Sequence, residues 1–347
     1  MLAVLLLSCT ATLVPADVNA ELSRIAPSLS AMVTRAALEP EALAEELRAS
    51  PIAQLAPTFS PKPRLGARNS TFPMVVAHGM GDSCFNPGMG SITHAIGQQL
   101  NVYSVCVPTA GNWATDTIGG FLKNMDASVD YFAKRVRSDP KLAGGFNAFG
   151  LSQGNNVIRG YITKYNDPPV HTFMSVCGIN AGVAAFPQCS PTTPGVGSIC
   201  EVLTEVLGDL AYNPLVQGIL FQANYFRDTS KLHTSEYLAN SQLARWNGES
   251  SADMAAYKAN YAKTSKFVWI EGTEDTVVWP REGEQWGALA PYPKTTVLPY
   301  KQTAWYQNDT FGLKAADGAG KNFFESFKGE HIRFTEADLM HWLAKYF

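Results

Sequence analysis

The chain has 347 residues, 46% of them hydrophobic and 16% charged, enough apolar material for one large domain or a domain carrying a substantial insertion. Its formal net charge is -3, and no basic stretch has the density that phosphate-backbone binding needs, so nucleic acid is excluded as a partner.

The first twenty residues, "MLAVLLLSCTATLVPADVNA", read as a signal peptide (1–20). An apolar run from Leu2 to Leu7 is followed by small residues, with Val18-Asn19-Ala20 as the cleavage site. Pro15 and Asp17 interrupt the run well short of the roughly 20 residues of a membrane span, and no later segment is long and apolar enough to cross a bilayer. Residues 21–70 form an N-terminal extension. Its first part is rich in Ala, Leu and Glu at helical spacing and is cut into short pieces by Pro27, Pro40 and Pro51. Its end, "PTFSPKPRLGARNS", reads as a linker. The extension is either a pro-segment or a surface helical appendage.

From residue 71 the pattern changes. Short apolar runs at 72–79, 101–107, 146–152, 171–178, 266–272 and 295–300 read as six buried strands bounded by Gly, Pro or Asp. Helical segments separate them, and the last, "TEADLMHWLAKYF", carries Thr335 as N-cap with Asp338 three residues on. Strands alternating with helices predict an α/β fold with a mostly parallel sheet over 71–347. Residues 181–263 break the rhythm with some 80 apolar, helical residues, which read as a cap over the sheet's C-terminal edge, where such sheets bind ligands.

Ser152, in "NAFGLSQGNN", falls between a predicted strand and a predicted helix. That is the position of a nucleophile elbow, in which the serine sits on a strained turn and flanking glycines remove clashing Cβ atoms. A serine nucleophile needs a base, and the base an orienting carboxylate, in the chain order Ser, acid, His. His171 precedes every candidate acid, His233 lies inside the insertion, and His341 sits within the last helix. His331, in the loop before that helix, remains as the base. "KFVWIEGTEDTVVWP" offers Glu271, Glu274 and Asp275; Asp275 opens the loop after the strand and is the acid favoured here. The oxyanion donors are expected to be the N–H groups of Met80, in "VVAHGMGDS", and of Gln153.

Six cysteines are present; Cys9 belongs to the signal segment. None lies in a C-x-x-C pattern, so no metal site is expected, and the proposed chemistry calls for no cofactor. Cys189 and Cys200 bracket a Pro-, Thr- and Gly-rich loop that a disulfide would stabilise by roughly 2–3 kcal/mol. Cys106 and Cys177 lie in apolar runs and read as small packed hydrophobes, and the pairing of Cys84 stays open. Asn69 and Asn308 head N-x-S/T sequons, in keeping with a secretory route.

"HGMGDSCFNPGMGSI", "DPKLAGGFNAFGLSQG", "GINAGVAAFPQC", "FQANYFRD" and "GTEDTVVWP" together resemble the palmitoyl-protein thioesterase family of α/β-hydrolases, from about Phe72 to Phe347. The resemblance implies an α/β-hydrolase fold and a triad on Ser152, Asp275 and His331, with oxyanion donors on Met80 and Gln153. It also implies a Cys189–Cys200 disulfide and an apolar acyl groove in the cap. The implied reaction is hydrolysis of long-chain acyl thioesters on protein cysteines in a lysosome, vacuole or extracellular space. The chain departs from the family pattern in four places: Cys84 is followed by Phe85 rather than a second cysteine, residues 107–176 hold no cysteine for another family disulfide, Asn155 stands where a glycine is usual, and residues 21–70 have no counterpart. A lipase or carboxylesterase acting on oxygen esters would share the same triad.

Overall fold

The computed structural model describes residues 14–53, 55–59, 70–189, 198–250, 253–291 and 295–347. The apolar run of the signal segment and the sequon Asn69 lie outside them, whereas the expected cleavage tripeptide falls inside the first helix, α1 (Ala16–Ile25). Two more helices follow, α2 (Pro27–Leu38) and α3 (Pro40–Arg48), each opened by a proline at its first turn, where the missing N–H costs nothing.

The sheet is built from β1 (Met74–Ala77), β2 (Ser104–Cys106), β3 (Phe146–Leu151), β4 (Val170–Val176) and β5 (Lys266–Gly272), five of the six expected strands. The expected strand at 295–300 is corrected. Only Val297–Leu298 (β7) is extended there, and it pairs antiparallel with Ala288–Leu289 (β6) outside the main sheet. Pro299, which has no N–H to donate to a ladder, ends it. The sixth strand is instead β8 (Asn322–Phe327), an edge strand, mostly half-buried, whose Glu325 and Ser326 masked its strand character.

All pairs in the main sheet are parallel, in the order β2-β1-β3-β4-β5-β8. Side chains alternate between its faces, as strand geometry requires. Val75, Ala77, Ala148, Phe173, Phe267 and Trp269 join one core with α6 (Met125–Ser138) and α7 (Gly154–Lys164). Met74, Val76, Phe149, Met174, Val268 and Ile270 join another with α4 (Pro87–Leu100) and the C-terminal helix Glu336–Tyr346. A parallel sheet covered by helices on both faces is the architecture expected of an α/β-hydrolase. The C-terminal helix begins with the expected cap, Thr335 and Asp338 bonding each other's backbone N–H.

A third apolar layer lies against the segment after β1 that carries Met80. Leu22, Leu29, Met32, Leu43 and Leu47 of α1–α3 pack with Ile118 and Phe121 of α5 (Trp113–Leu122). Val202 of α8 (Ile199–Val206), Val216 of α9 (Pro214–Ile219) and Met80 complete it. The extension is thus part of the core rather than a surface appendage, and the Ala56 N–H donates to Asp82 Oδ2 at 2.8 Å. Within 181–263 the described residues form α8, α9, α10 (Phe221–Tyr225), α11 (Ser235–Asn240), α12 (Gln242–Asn247) and α13 (Ala255–Lys263). Tyr261 of α13 stacks on Phe267 of β5 with ring centroids 4.3 Å apart, so α13 belongs to the layer covering the sheet.

Candidate active site

Ser152 follows β3 directly, and its φ of +51° places it in the left-handed region that L-residues avoid. The turn that holds it is crowded. A Cβ on Gly154 would meet His78 O at 2.5 Å and Ala77 O at 2.6 Å, and one on Gly150 would meet Asn155 Oδ1 at 2.2 Å. Asn155 is the lock on this turn: its Nδ2 donates to Ser152 O and to Val176 O, both at 3.0 Å. Helix α7 starts at Gly154, so its N-terminal dipole points at the serine.

His331 lies in the loop after β8 and is 1% exposed. Its Nε2 is 2.7 Å from Ser152 Oγ and its Nδ1 is 2.5 Å from Asp275 Oδ2. Asp275, after β5, also accepts the N–H groups of Val277 at 2.7 Å and Val278 at 3.0 Å on Oδ1. Burial pushes the Asp275 pKa up, but the charge and hydrogen bond of His331 outweigh it and hold the group at about 2. The Asp275 carboxylate therefore stays ionised and fixes Nδ1 as the protonated nitrogen, leaving Nε2 to accept the serine proton. Glu271 and Glu274 do not reach His331. Glu271 pairs with Arg281 at 3.7 Å, and Glu274 is exposed.

Met80 and Gln153 are both buried, and their N–H groups take part in none of the turn, loop or side-chain hydrogen bonds of the described residues. Buried N–H groups without a partner among the described residues are donors of the kind an oxyanion requires. Their side chains are anchored. Gln153 Nε2 donates to Gly120 O at 2.8 Å, and Gln153 Oε1 accepts from Gln222 Nε2 at 3.0 Å and Tyr225 Oη at 3.1 Å. Behind the loop, buried His78 faces Gly79 O at 2.9 Å through Nδ1 and Asp116 Oδ1 at 3.1 Å through Nε2. Both partners are acceptors, so both nitrogens carry protons and the ring is a cation. Burial alone would lower its pKa; the Asp116 charge and hydrogen bond raise it to about 9.

Comparison with known proteins gives the family. The family model described as "Palmitoyl protein thioesterase" matches residues 73–331. Palmitoyl-protein thioesterase 1 of Caenorhabditis elegans is 30% identical over 283 residues, covering 80% of this chain and 93% of the relative. The chain belongs to the palmitoyl protein thioesterase family. Palmitoyl-protein thioesterase 3 of Dictyostelium discoideum is 31% identical over 74% of the chain and 83% of the relative. Lysosomal thioesterase PPT2 of Mus musculus is 26% identical over 74% and 81%.

On this thioesterase scaffold the remaining candidates sort themselves. His171 stacks on Phe72 at 3.5 Å, His233 lines a cleft of about 380 Å³ beside Trp305, and His341 is exposed. The sequon Asn308 is exposed at the end of α14 (Ala304–Gln307). Cys189 and Cys200 form a disulfide, and Cys177 is a buried free thiol. Cys106 is corrected: it is bonded to Cys84 rather than packed as a free hydrophobe. Cys84 follows the His78–Ser83 segment after β1 and Cys106 ends β2, and the adjacency of β1 and β2 brings them together. Ligand atoms of Cys177, Asp275, Glu284 and His331 lie within 4.8 Å of one another, but both His331 nitrogens are already engaged, so the group has no free imidazole lone pair for a cation.

Sequence reasoning missed Asp116, Gln222, Tyr225 and Glu284. For Gln222 and Tyr225 a signal existed, since both stand in "FQANYFRD", one of the segments that carries the family resemblance. Among the described residues no helix is long and apolar enough to cross a membrane.

Proposed function

We propose that the protein hydrolyses long-chain fatty acyl thioesters, palmitoyl groups on protein cysteines above all, with Ser152 as nucleophile, His331 as general base and Asp275 as its orienting acid. The observation that carries this reading is the continuous chain Asp275 Oδ2–His331 Nδ1 and His331 Nε2–Ser152 Oγ, at 2.5 and 2.7 Å, on a strained strand-to-helix turn. Family membership supplies the substrate class.

The reaction runs in two acyl transfers. Ser152 Oγ attacks the thioester carbonyl carbon as its proton passes to His331 Nε2. The oxyanion is received by the N–H groups of Met80 and Gln153. The C–S bond breaks, and His331 returns the proton to the departing cysteine sulfur. Water then attacks the acyl-serine with the same base and donors, releasing the fatty acid and restoring Ser152. The acyl chain is assigned to the Met80 side, where the apolar layer of α5 and α8–α9 begins.

The two disulfides and the naming of relatives as lysosomal thioesterases support an oxidising secretory, lysosomal or extracellular setting. A signal peptide at 1–20 and glycans on Asn69 and Asn308 belong to the same reading. The test is a rate comparison between a palmitoyl-thioester peptide and its matched serine oxygen ester. A clear preference for the thioester is expected; equal or faster oxygen-ester hydrolysis would make the protein a lipase or carboxylesterase.

A further inference from the structure

A second carboxyl group stands behind the proposed triad acid. Glu284 lies in the one-turn segment Arg281–Gln285 and is 0% exposed. Its Oε2 accepts the N–H of Gly272, the last residue of β5, at 3.0 Å. Its Oε1 is buried and receives no hydrogen bond. Carboxyl oxygens of Glu284 and Asp275 lie within 4.8 Å of each other. Two carboxylates cannot both ionise in so small a buried space without a cation to share. Asp275 has His331 and two backbone N–H groups to hold its charge, whereas Glu284 has a single N–H. The proton therefore belongs on Glu284.

We propose that Glu284 is a positioning residue for hydrolysis: it stays neutral and shares its Oε1 proton with Asp275, bracing from behind the carboxylate that orients His331. Burial, then the charge of Asp275 and the hydrogen bond shared with it, push the Glu284 carboxyl well above the usual range. The other groups facing the pair do not offset this. The Cys177 thiol, just after β4, is itself pushed up, above all by burial, and carries no charge to offset the pair. Glu271, half-buried at the end of β5, is pushed up by burial and by nearby Glu282, and Arg281 pairs with Glu271. No proton is consumed; the shared proton stays between the two carboxyls through the cycle. A donor to Asp275 spreads its charge and moderates its pull on the His331 imidazolium, which keeps Nε2 basic enough to act yet free at working pH.

The inference rests on the Ser152–His331–Asp275 reading, and the experiment separates the two. Glu284→Gln keeps a neutral donor of the same shape, and Glu284→Leu removes it. Each is compared with the intact protein and with Ser152→Ala by pH profiles of kcat/KM on a palmitoyl-thioester peptide, with melting temperatures recorded alongside. Glu284→Gln is expected to keep kcat within about threefold, with the acid limb unmoved. Glu284→Leu is expected to lose kcat by about tenfold or more at unchanged KM, with the acid limb moved to higher pH. An acid limb that moves to lower pH in Glu284→Gln would show an ionised Glu284 and overturn the proposal. So would a Glu284→Leu profile identical to wild type. Should Glu284→Leu fail to fold, the Glu284→Gln limb alone decides. Retained turnover in Ser152→Ala would instead remove the triad reading itself.

Discussion

Two buried histidine–aspartate pairs flank Ser152, one on each side of β3 in the sheet. His78 follows β1, which lies on one side of β3, and Asp275 and His331 follow β5 and β8, which lie on the other. They are alike in composition and burial and opposite in use. Asp116 also accepts from Ser83 Oγ and from the N–H groups of Cys84, Thr109 and Ala110. His78 spends both nitrogens on acceptors, so it is a fixed cation that braces the segment proposed to hold the oxyanion. His331 has one nitrogen on its aspartate and the other on a hydroxyl that can give up its proton. The lesson is that a histidine–aspartate pair becomes a base only where one nitrogen faces a reactant; a saturated pair is scaffolding with a charge.

The sharpest way to break the comparison is to delete each pair's partner to chemistry. Ser152→Ala and His331→Ala should each cost about 10⁴–10⁶ in kcat, with the melting temperature near wild type. Asp275→Asn should cost about 10⁴ through the wrong tautomer of His331, measured on the same thioester. His78→Gln should leave kcat far less affected but change the pH dependence of stability. Its folded pKa of about 9 lies above the ordinary 6.5. Its contribution is thus complete below pH 6.5 and is lost as pH rises through 9. Denaturant midpoints of wild type should fall over that window, and those of His78→Gln should stay flatter. Asp275 acts at the other end, its contribution being lost only as pH falls from 3.8 through about 2. The smallest effect is expected for Asn155→Ala, which removes two buried hydrogen bonds at the elbow. A stability loss of about 1–3 kcal/mol is expected in denaturant melts, with kcat changed only a few-fold.

What the sequence revealed and what it hid follow one division. Ser152, Asp275 and His331 were legible because each sits at the end of an element with a local signature, and their chain order carries information. The strands β1, β3, β4 and β5 were legible because their apolar runs are continuous, as buried parallel strands are. The edge strand β8 was not, since half-exposure admits Glu325 and Ser326, while the more apolar 295–300 stretch drew the assignment instead. The Cys84–Cys106 bond was hidden by its environment: Cys106 stands in an apolar run, and only the pairing of β1 with β2 brings it to Cys84. Asp116 and Glu284 depend wholly on contacts between distant segments, which no local pattern records; Gln222 and Tyr225 stand in a segment that carries the family resemblance, but their bonds to Gln153 show only in the fold. Asn155 could be seen as a departure from the family, but its two bonds to Ser152 O and Val176 O require the β3–β4 register.

The measurement that bears most directly on the account is mass spectrometry of the protein quenched during turnover of a palmitoyl-thioester peptide. A palmitoyl adduct on the peptide containing Ser152, absent from Ser152→Ala, is the predicted result. Full turnover with no adduct on Ser152, or an adduct that persists on another residue in Ser152→Ala, would contradict it.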